Sequence, residues 1–242
     1  MITTKDLSVR YEAEQFALEK VSVTIDHGNI VGIIGPNGAG KSSFMKAILG
    51  LISYDGQVLL DKEKGDKSQT SIAYVEQKSH IDYNFPITVR ECVSLGLYKK
   101  VGLFRRLTKD DWSKVDAVLD QVGLLTFKDR SIKTLSGGQF QRMLVARCLV
   151  QDAQTIFLDE PFIGIDLVSE NIIMDILKSL RNQGRTILVV HHDLSKVEGY
   201  FDMLLLLNKK MIAYGNVDDV FHAKFLKQAY GDRIFIEKGD DD

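Results

Sequence analysis

The sequence predicts an α/β fold: a mixed, mainly parallel sheet with antiparallel N-terminal strands and an inserted α-helical subdomain. Three observations point to it. The short apolar runs IVGIIG, TIFLD, TILVV and MLLLLN have the length and composition of strands buried on both faces. Helical stripes alternate with these runs, which is the pattern of an α/β core. From about Thr88 to Val150 the periodicity is helical and no convincing strand interrupts it.

Along the chain, LSVRY and VSVTID alternate polar and apolar residues as half-buried strands do. HGN, at 27–29, then turns into IVGIIG. KSSFMKAILGL follows with Phe44, Ile48 and Leu51 at helical spacing, so the order is strand, glycine loop, helix. The inserted region reads as three helices: Thr88 to Tyr98, Lys109 to Val122 (stripe Trp112, Val115, Leu119, Val122), and Ser136 to Val150. Pro86 precedes a capping box in which Thr88 is the N-cap and Glu91 stands three residues on. The later strands are separated by a helix with the stripe Ile172, Ile173, Ile176, Leu177, Leu180. The expected organisation is one domain over 1–242: a core of about 1–87 and 151–225, a helical subdomain of about 88–150, and a short acidic tail at 226–242.

Composition narrows the function classes. Hydrophobic residues make up 45% of 242, enough for a packed core, while a net charge of −2 and a pI near 6.2 argue against a nucleic-acid partner. Cys92 and Cys148 are too few for a disulfide framework and read as small buried hydrophobes. No apolar run is long enough to span a bilayer and no secretory leader is evident, so the chain is expected to be soluble and cytoplasmic. The five histidines are scattered without an HExxH pattern; His80 and Asp82 read as solvated loop residues. Lys99, Lys100, Arg105 and Arg106 read as a solvated loop, with proximity to anionic lipid as the alternative.

Three motifs carry chemistry. GPNGAGKS, comprising Gly35, Pro36, Asn37, Gly38, Ala39, Gly40, Lys41 and Ser42, fits the P-loop pattern between a strand and a helix, so the core is of the P-loop NTPase type. Its glycines let backbone N–H groups turn inward around phosphates, Lys41 reaches the β and γ phosphates, and the Ser42 hydroxyl ligates Mg²⁺. TIFLDEP ends an apolar strand in Asp159 and Glu160, where one carboxylate holds the metal through its water shell and its neighbour activates water. TLSGGQFQR places Ser136, Gly137, Gly138 and Gln139 at a second helix N-terminus suited to an anion.

With these motifs in this order, the chain resembles the nucleotide-binding subunit of ATP-binding cassette (ABC) transporters over roughly Leu7 to Phe221. LSGGQ is that family's signature. The resemblance implies that Tyr11 stacks on adenine, that Ser43 joins the P-loop in holding ATP, and that Gln77, in the loop joining the lobes, reaches toward the Mg²⁺ at Ser42. It implies Glu160 as general base, His192 as the histidine contacting the γ-phosphate, and Asp166 as a bridge across a dimer, with His191 as filler. Two copies would pack head to tail, each Ser136 to Gln139 segment acting on the partner's ATP. Asn29 and Ser43 depart from the commoner glutamate and threonine without touching the catalytic set.

DYNFPITVRECVSLGLY is similar to ATPases of bacterial manganese, zinc or iron importers, which implies a membrane permease and an external metal-binding protein as partners. An importer of another solute is the alternative, and an ABC ATPase acting on DNA or ribosomes is disfavoured. Tyr83 and Phe85 are candidates for a groove that receives a helix of the permease; the alternative has Phe85 packing beneath the helical lobe.

Overall fold

A computed structural model of the protein describes residues 1–12, 15–60, 72–77, 85–102 and 106–231. Its strands are β1 (Ile2–Glu12), β2 (Gln15–Ile25), β3 (Ile30–Ile34), β4 (Asp55–Leu60), β5 (Ile72–Val75), β6 (Thr155–Asp159), β7 (Thr186–Val190), β8 (Met203–Asn208) and β9 (Lys210–Asn216). Its helices are α1 (Lys41–Ile48), α2 (Val89–Ser94), α3 (Tyr98–Val101), α4 (Lys109–Gln121), α5 (Gly137–Leu149), α6 (Leu167–Asn182), α7 (Val197–Tyr200), α8 (Val217–Val220) and α9 (Ala223–Tyr230). The chain packs as two compact units, Met1–Thr70 with Leu188–Asp242, and Ser71–Ile187.

In the first unit, β1 pairs antiparallel with β2 (Ile2 opposite Ile25) and with β4 (Ile2 opposite Leu60). Leu18, Val21, Val23 and Ile25 of β2 are buried, the alternate positions of one apolar face interrupted by a single irregularity after Leu18. At that irregularity Asp6 and Lys20 take positive φ, and hydroxyls replace the missing ladder bonds. The Asp6 N–H donates to Ser22 Oγ at 2.8 Å and the Lys20 N–H to Ser8 Oγ at 2.9 Å. β3, buried at all five positions, runs parallel to β8 (Val31 opposite Met203), and β8 is antiparallel to β9 (Leu205 opposite Tyr214). The His191 N–H donates to Ile33 O, setting the exit of β7 beside β3.

In the second unit, β5 runs parallel to β6 (Ile72 opposite Thr155), and α5 packs against α2, α4, α6 and β5. Phe140, Met143, Leu144 and Ala146 of α5 are fully buried; each large apolar side chain removed from water in this way contributes about 1.5–3 kcal/mol. α2, α4 and α5 all begin with capping boxes, from Thr88 with Glu91, Thr108 with Asp111, and Ser136 with Gln139. Each cap is worth about 1 kcal/mol.

The mixed, mainly parallel sheet with antiparallel N-terminal strands agrees with the sequence reading, and α4 and α5 fall where their stripes placed them. Thr88 to Tyr98 does not form one helix. It divides into α2, a 3₁₀ turn at Leu95–Leu97, and α3, because Gly96 lies so close to α5 that a Cβ there would run into the Arg147 carbonyl and Val150. Leu51 is off the helical stripe: α1 ends at Ile48, Gly50 follows with φ +67°, and Leu51 is exposed. β4, β5 and β9 carry no signal that the sequence reading used. Arg105, His80, Asp82, Tyr83 and the acidic end lie outside the described residues. No helix among the described residues is long and apolar enough to cross a membrane, and no cluster of three or more His, Cys, Asp or Glu among them is placed to hold a metal ion.

Candidate functional site

The glycine loop leaves β3 and closes at Gly40, which takes φ +91° as the N-cap of α1. A side chain there would meet the Ala17 carbonyl and Leu18, so both the backbone angle and the approach of β2 demand glycine. Gly38, at φ +79°, borders open space instead. Lys41 is buried, and its Nζ donates to the carbonyls of Gly35 at 2.7 Å and Pro36 at 3.0 Å. No side chain caps the first turn of α1 and no acidic residue occupies it, so its N–H groups and positive dipole end favour an anion. A curled loop around an ammonium, ending on an uncapped helix N-terminus, fits a polyphosphate.

Beside this loop is a cavity of about 310 Å³ lined by Tyr11, Phe16, Gly38, Gly40, Ser43 and Lys209 among others. Tyr11 is 64% exposed, and its hydroxyl shares a 3.0 Å hydrogen bond with Ser43 Oγ. Ser43, which reads from the sequence as a neutral departure, thus anchors the aromatic. His192 is exposed at the end of β7. His191 is not filler: it is 3% exposed, with its ring 5.6 Å from Phe201 and 6.1 Å from Tyr200 between centroids. Packing of His191 fixes the backbone from which His192 projects.

The second unit carries the carboxylates. Asp159 closes β6 and is 2% exposed, with Tyr74 Oη directed at its Oδ2 at 3.5 Å. Burial first, then the neighbouring Asp159 charge, pushes the Tyr74 hydroxyl far above its ordinary range, so it remains a protonated donor. Glu160 follows in the left-handed region at φ +52°, uncommon for a residue with a side chain and a mark of functional turns. Gln77 Nε2 donates to Glu160 Oε2 at 2.5 Å. The sequence reading aims this amide at a metal; here it holds the carboxylate of Glu160, a pairing that no local pattern signals.

At α5, Ser136 Oγ accepts the Gln139 N–H at 3.2 Å and Gln139 Oε1 accepts the Ser136 N–H at 2.9 Å. Asp166 caps α6, accepting the Ser169 N–H at 2.8 Å and the Ser169 hydroxyl at 2.9 Å. Those two bonds hold its carboxyl below the usual range. Gly138 joins the two caps, since a Cβ on it would collide with Asp166 Oδ2 and Ser169 Oγ. Phe85 is 58% exposed, so it does not pack beneath the helices. Tyr11, the glycine loop, Ser43 and His192 thus lie on the first unit, and Gln77, Asp159, Glu160, Ser136 to Gln139 and Asp166 on the second.

A family model described as ABC transporter matches residues 18–163. The chain belongs to the ABC transporter family. Among curated proteins, this ABC ATPase is 46% identical to the manganese transport system ATP-binding protein MntB of Halalkalibacterium halodurans, over 95% of this chain and 92% of the relative. It is 44% identical to the zinc transport system ATP-binding protein TroB of Treponema pallidum, over 96% of this chain and 88% of the relative. Among solved structures, it superposes with TM-score 0.77 on a dimeric ATP-binding cassette in a post-hydrolysis state bound to ADP and Pi, 26% identical over 90% of this chain and 99% of that one.

Because Gly138 leaves no room for a methyl group, Gly138→Ala is expected to displace the start of α5 from the Asp166 cap. The expected result is a loss of about 1–3 kcal/mol in stability, the usual cost of overpacking. A lowered urea midpoint with unchanged slope measures it; a midpoint equal to that of the wild type would show that the two caps are not in contact.

Proposed function

We propose that this ABC ATPase powers uptake of a divalent transition-metal ion, manganese, zinc or iron, through a separate membrane permease. The observation that carries the reading is the identity above 40%, across nearly the whole chain, with ATP-binding subunits named for manganese and zinc transport. The local run Phe85, Pro86, Ile87, Thr88 supports it. On this reading two copies act head to tail on the inner face of the membrane, each with residues 88–150 as its helical subdomain. The permease docks through Tyr83 and the exposed Phe85, and an external metal-binding protein delivers the cargo.

The placements described above support the chemistry assigned to the side chains. Lys41 and the loop N–H groups from Gly35 to Ser42 hold the phosphates, with Ser43 and Tyr11 on the nucleoside side. Ser42 and Gln77, with Asp159 acting through water, are the residues suited to hold Mg²⁺. When bound, Mg²⁺ neutralises charge developing on the phosphate oxygens. Glu160 takes the proton of the attacking water as general base, and for this its carboxylate must exchange the Gln77 amide for water. His192 contacts the γ-phosphate and positions the water. Ser136 to Gln139 bind the γ-phosphate held by the second copy and Asp166 bridges the copies, so removal of that phosphate loosens the dimer.

Replacing Glu160 by Gln is expected to leave ATP affinity nearly unchanged and to lower turnover by about 10² to 10⁴; near-normal steady-state ATPase would refute Glu160 as the base. Reconstituted with its permease and binding protein in vesicles, the chain should drive ATP-dependent uptake of Mn²⁺, Zn²⁺ or Fe²⁺. Transport of another solute and of none of these would refute the cargo. In the same vesicles Tyr83→Ala with Phe85→Ala should keep ATP binding and lose uptake; full uptake would exclude these rings from docking.

A further inference from the structure

Lys209 occupies the turn between β8 and β9 with φ +60°, a conformation that glycine and asparagine accept more readily than lysine. Two backbone bonds hold it there. Its N–H donates to the Ala39 carbonyl in the glycine loop at 2.9 Å, and its carbonyl accepts the Glu19 N–H of β2 at 2.7 Å. The turn is thus clamped against the loop on one side and against β2 on the other. The next residue, Lys210, sends its ammonium to the Glu19 carboxylate at 3.2 Å. Among the described residues no carboxylate pairs with Lys209, an exposed residue that lines the cavity beside the loop.

That cavity brings positive features together. Gly38 and Gly40 present the backbone of the phosphate loop, Ser43 stands in the first turn of α1, and that turn has no side-chain cap and no acidic residue. A cation beside a positive helix end is disfavoured unless an anion lies between them. Tyr11 and Phe16 supply aromatic faces to the same cavity, so the base has a platform that needs no charge. We infer that Lys209 is a nucleotide-site residue whose ammonium pairs with a phosphate oxygen of the nucleotide bound in the glycine loop. The inference rests on reading that loop as the nucleotide site. It gives the strained turn a purpose, since the left-handed conformation braces Ala39 and sets Lys209 on the wall of the cavity.

The test uses the full chain, with ATP and GTP affinities measured by titration calorimetry at low and high salt. Lys209→Asn keeps a residue that accepts positive φ and removes the charge, and Lys209→Arg keeps the charge. Loss of a charge-assisted hydrogen bond predicts that Lys209→Asn weakens ATP and GTP alike by roughly tenfold, with a smaller salt dependence. Lys209→Arg should stay within about threefold of the wild type, and in Lys209→Asn the KM for ATP should rise while kcat at saturation holds. Unchanged ATP affinity in Lys209→Asn overturns the inference. So does a shifted preference between ATP and GTP, which would direct the side chain at the base, or an equal loss in Lys209→Arg, which would make the turn merely structural. Wild-type protein that binds no ATP refutes the reading of the loop itself, whereas wild-type binding with an unaffected Lys209→Asn refutes the Lys209 assignment alone.

Discussion

The buried ammonium of Lys41 is the constraint on which the glycine loop depends. A lysine that is 7% exposed must meet acceptors, and the carbonyls of Gly35 and Pro36 supply them from the loop that precedes it. For those carbonyls to point back at the residue that follows, the loop must curl, and the curl needs positive φ at Gly38 and Gly40. The loop in turn needs a rigid base, and β3 provides it by being buried at every position. Lys209 through Ala39, and Tyr11 through Ser43, fasten the loop and the start of α1 from outside.

The second unit answers the same problem with caps. Asp166 and Ser136 both satisfy N–H groups at helix starts, and Gly138 lets those two starts meet. A side chain that serves as a cap is held by two bonds to one turn, so its position is set by the backbone and not by rotamer chance. Gln77 and Glu160 follow a different logic, since their bond joins residues 83 apart in sequence.

The parts legible in the sequence are those in which chemistry forces a residue type locally. The glycine loop and the Ser136 cap were readable because positive φ and N-capping each admit few residues, and the carboxylates at the end of β6 because an apolar strand stops abruptly at them. β4 was not readable, for most of its residues are exposed and no alternation marks it; β5 has only four residues. The break after α2 comes from Gly96 fitting against α5, a tertiary demand that helical periodicity does not register. Leu51 matched the stripe by spacing, but Gly50 had already ended the helix. The packing of His191, the role of Lys209 and the Ser43–Tyr11 bond escaped for one reason: each depends on a partner distant in sequence, in a pattern that carries no motif.

The division of the chain also sets an order of assembly. The second unit is one uninterrupted segment, Ser71–Ile187, and three of its helix starts are specified by residues three positions apart. Such local contacts form early, as soon as the segment has been made. The first unit is split, and β3 has no partner in β8 until Met203 to Leu206 have been synthesised. On a growing chain the glycine loop is therefore made early and finished late. Lys209, which braces Ala39, arrives only after the whole of the second unit has been made. The brace on the glycine loop is thus withheld from the nascent chain until both ends of the first unit have met.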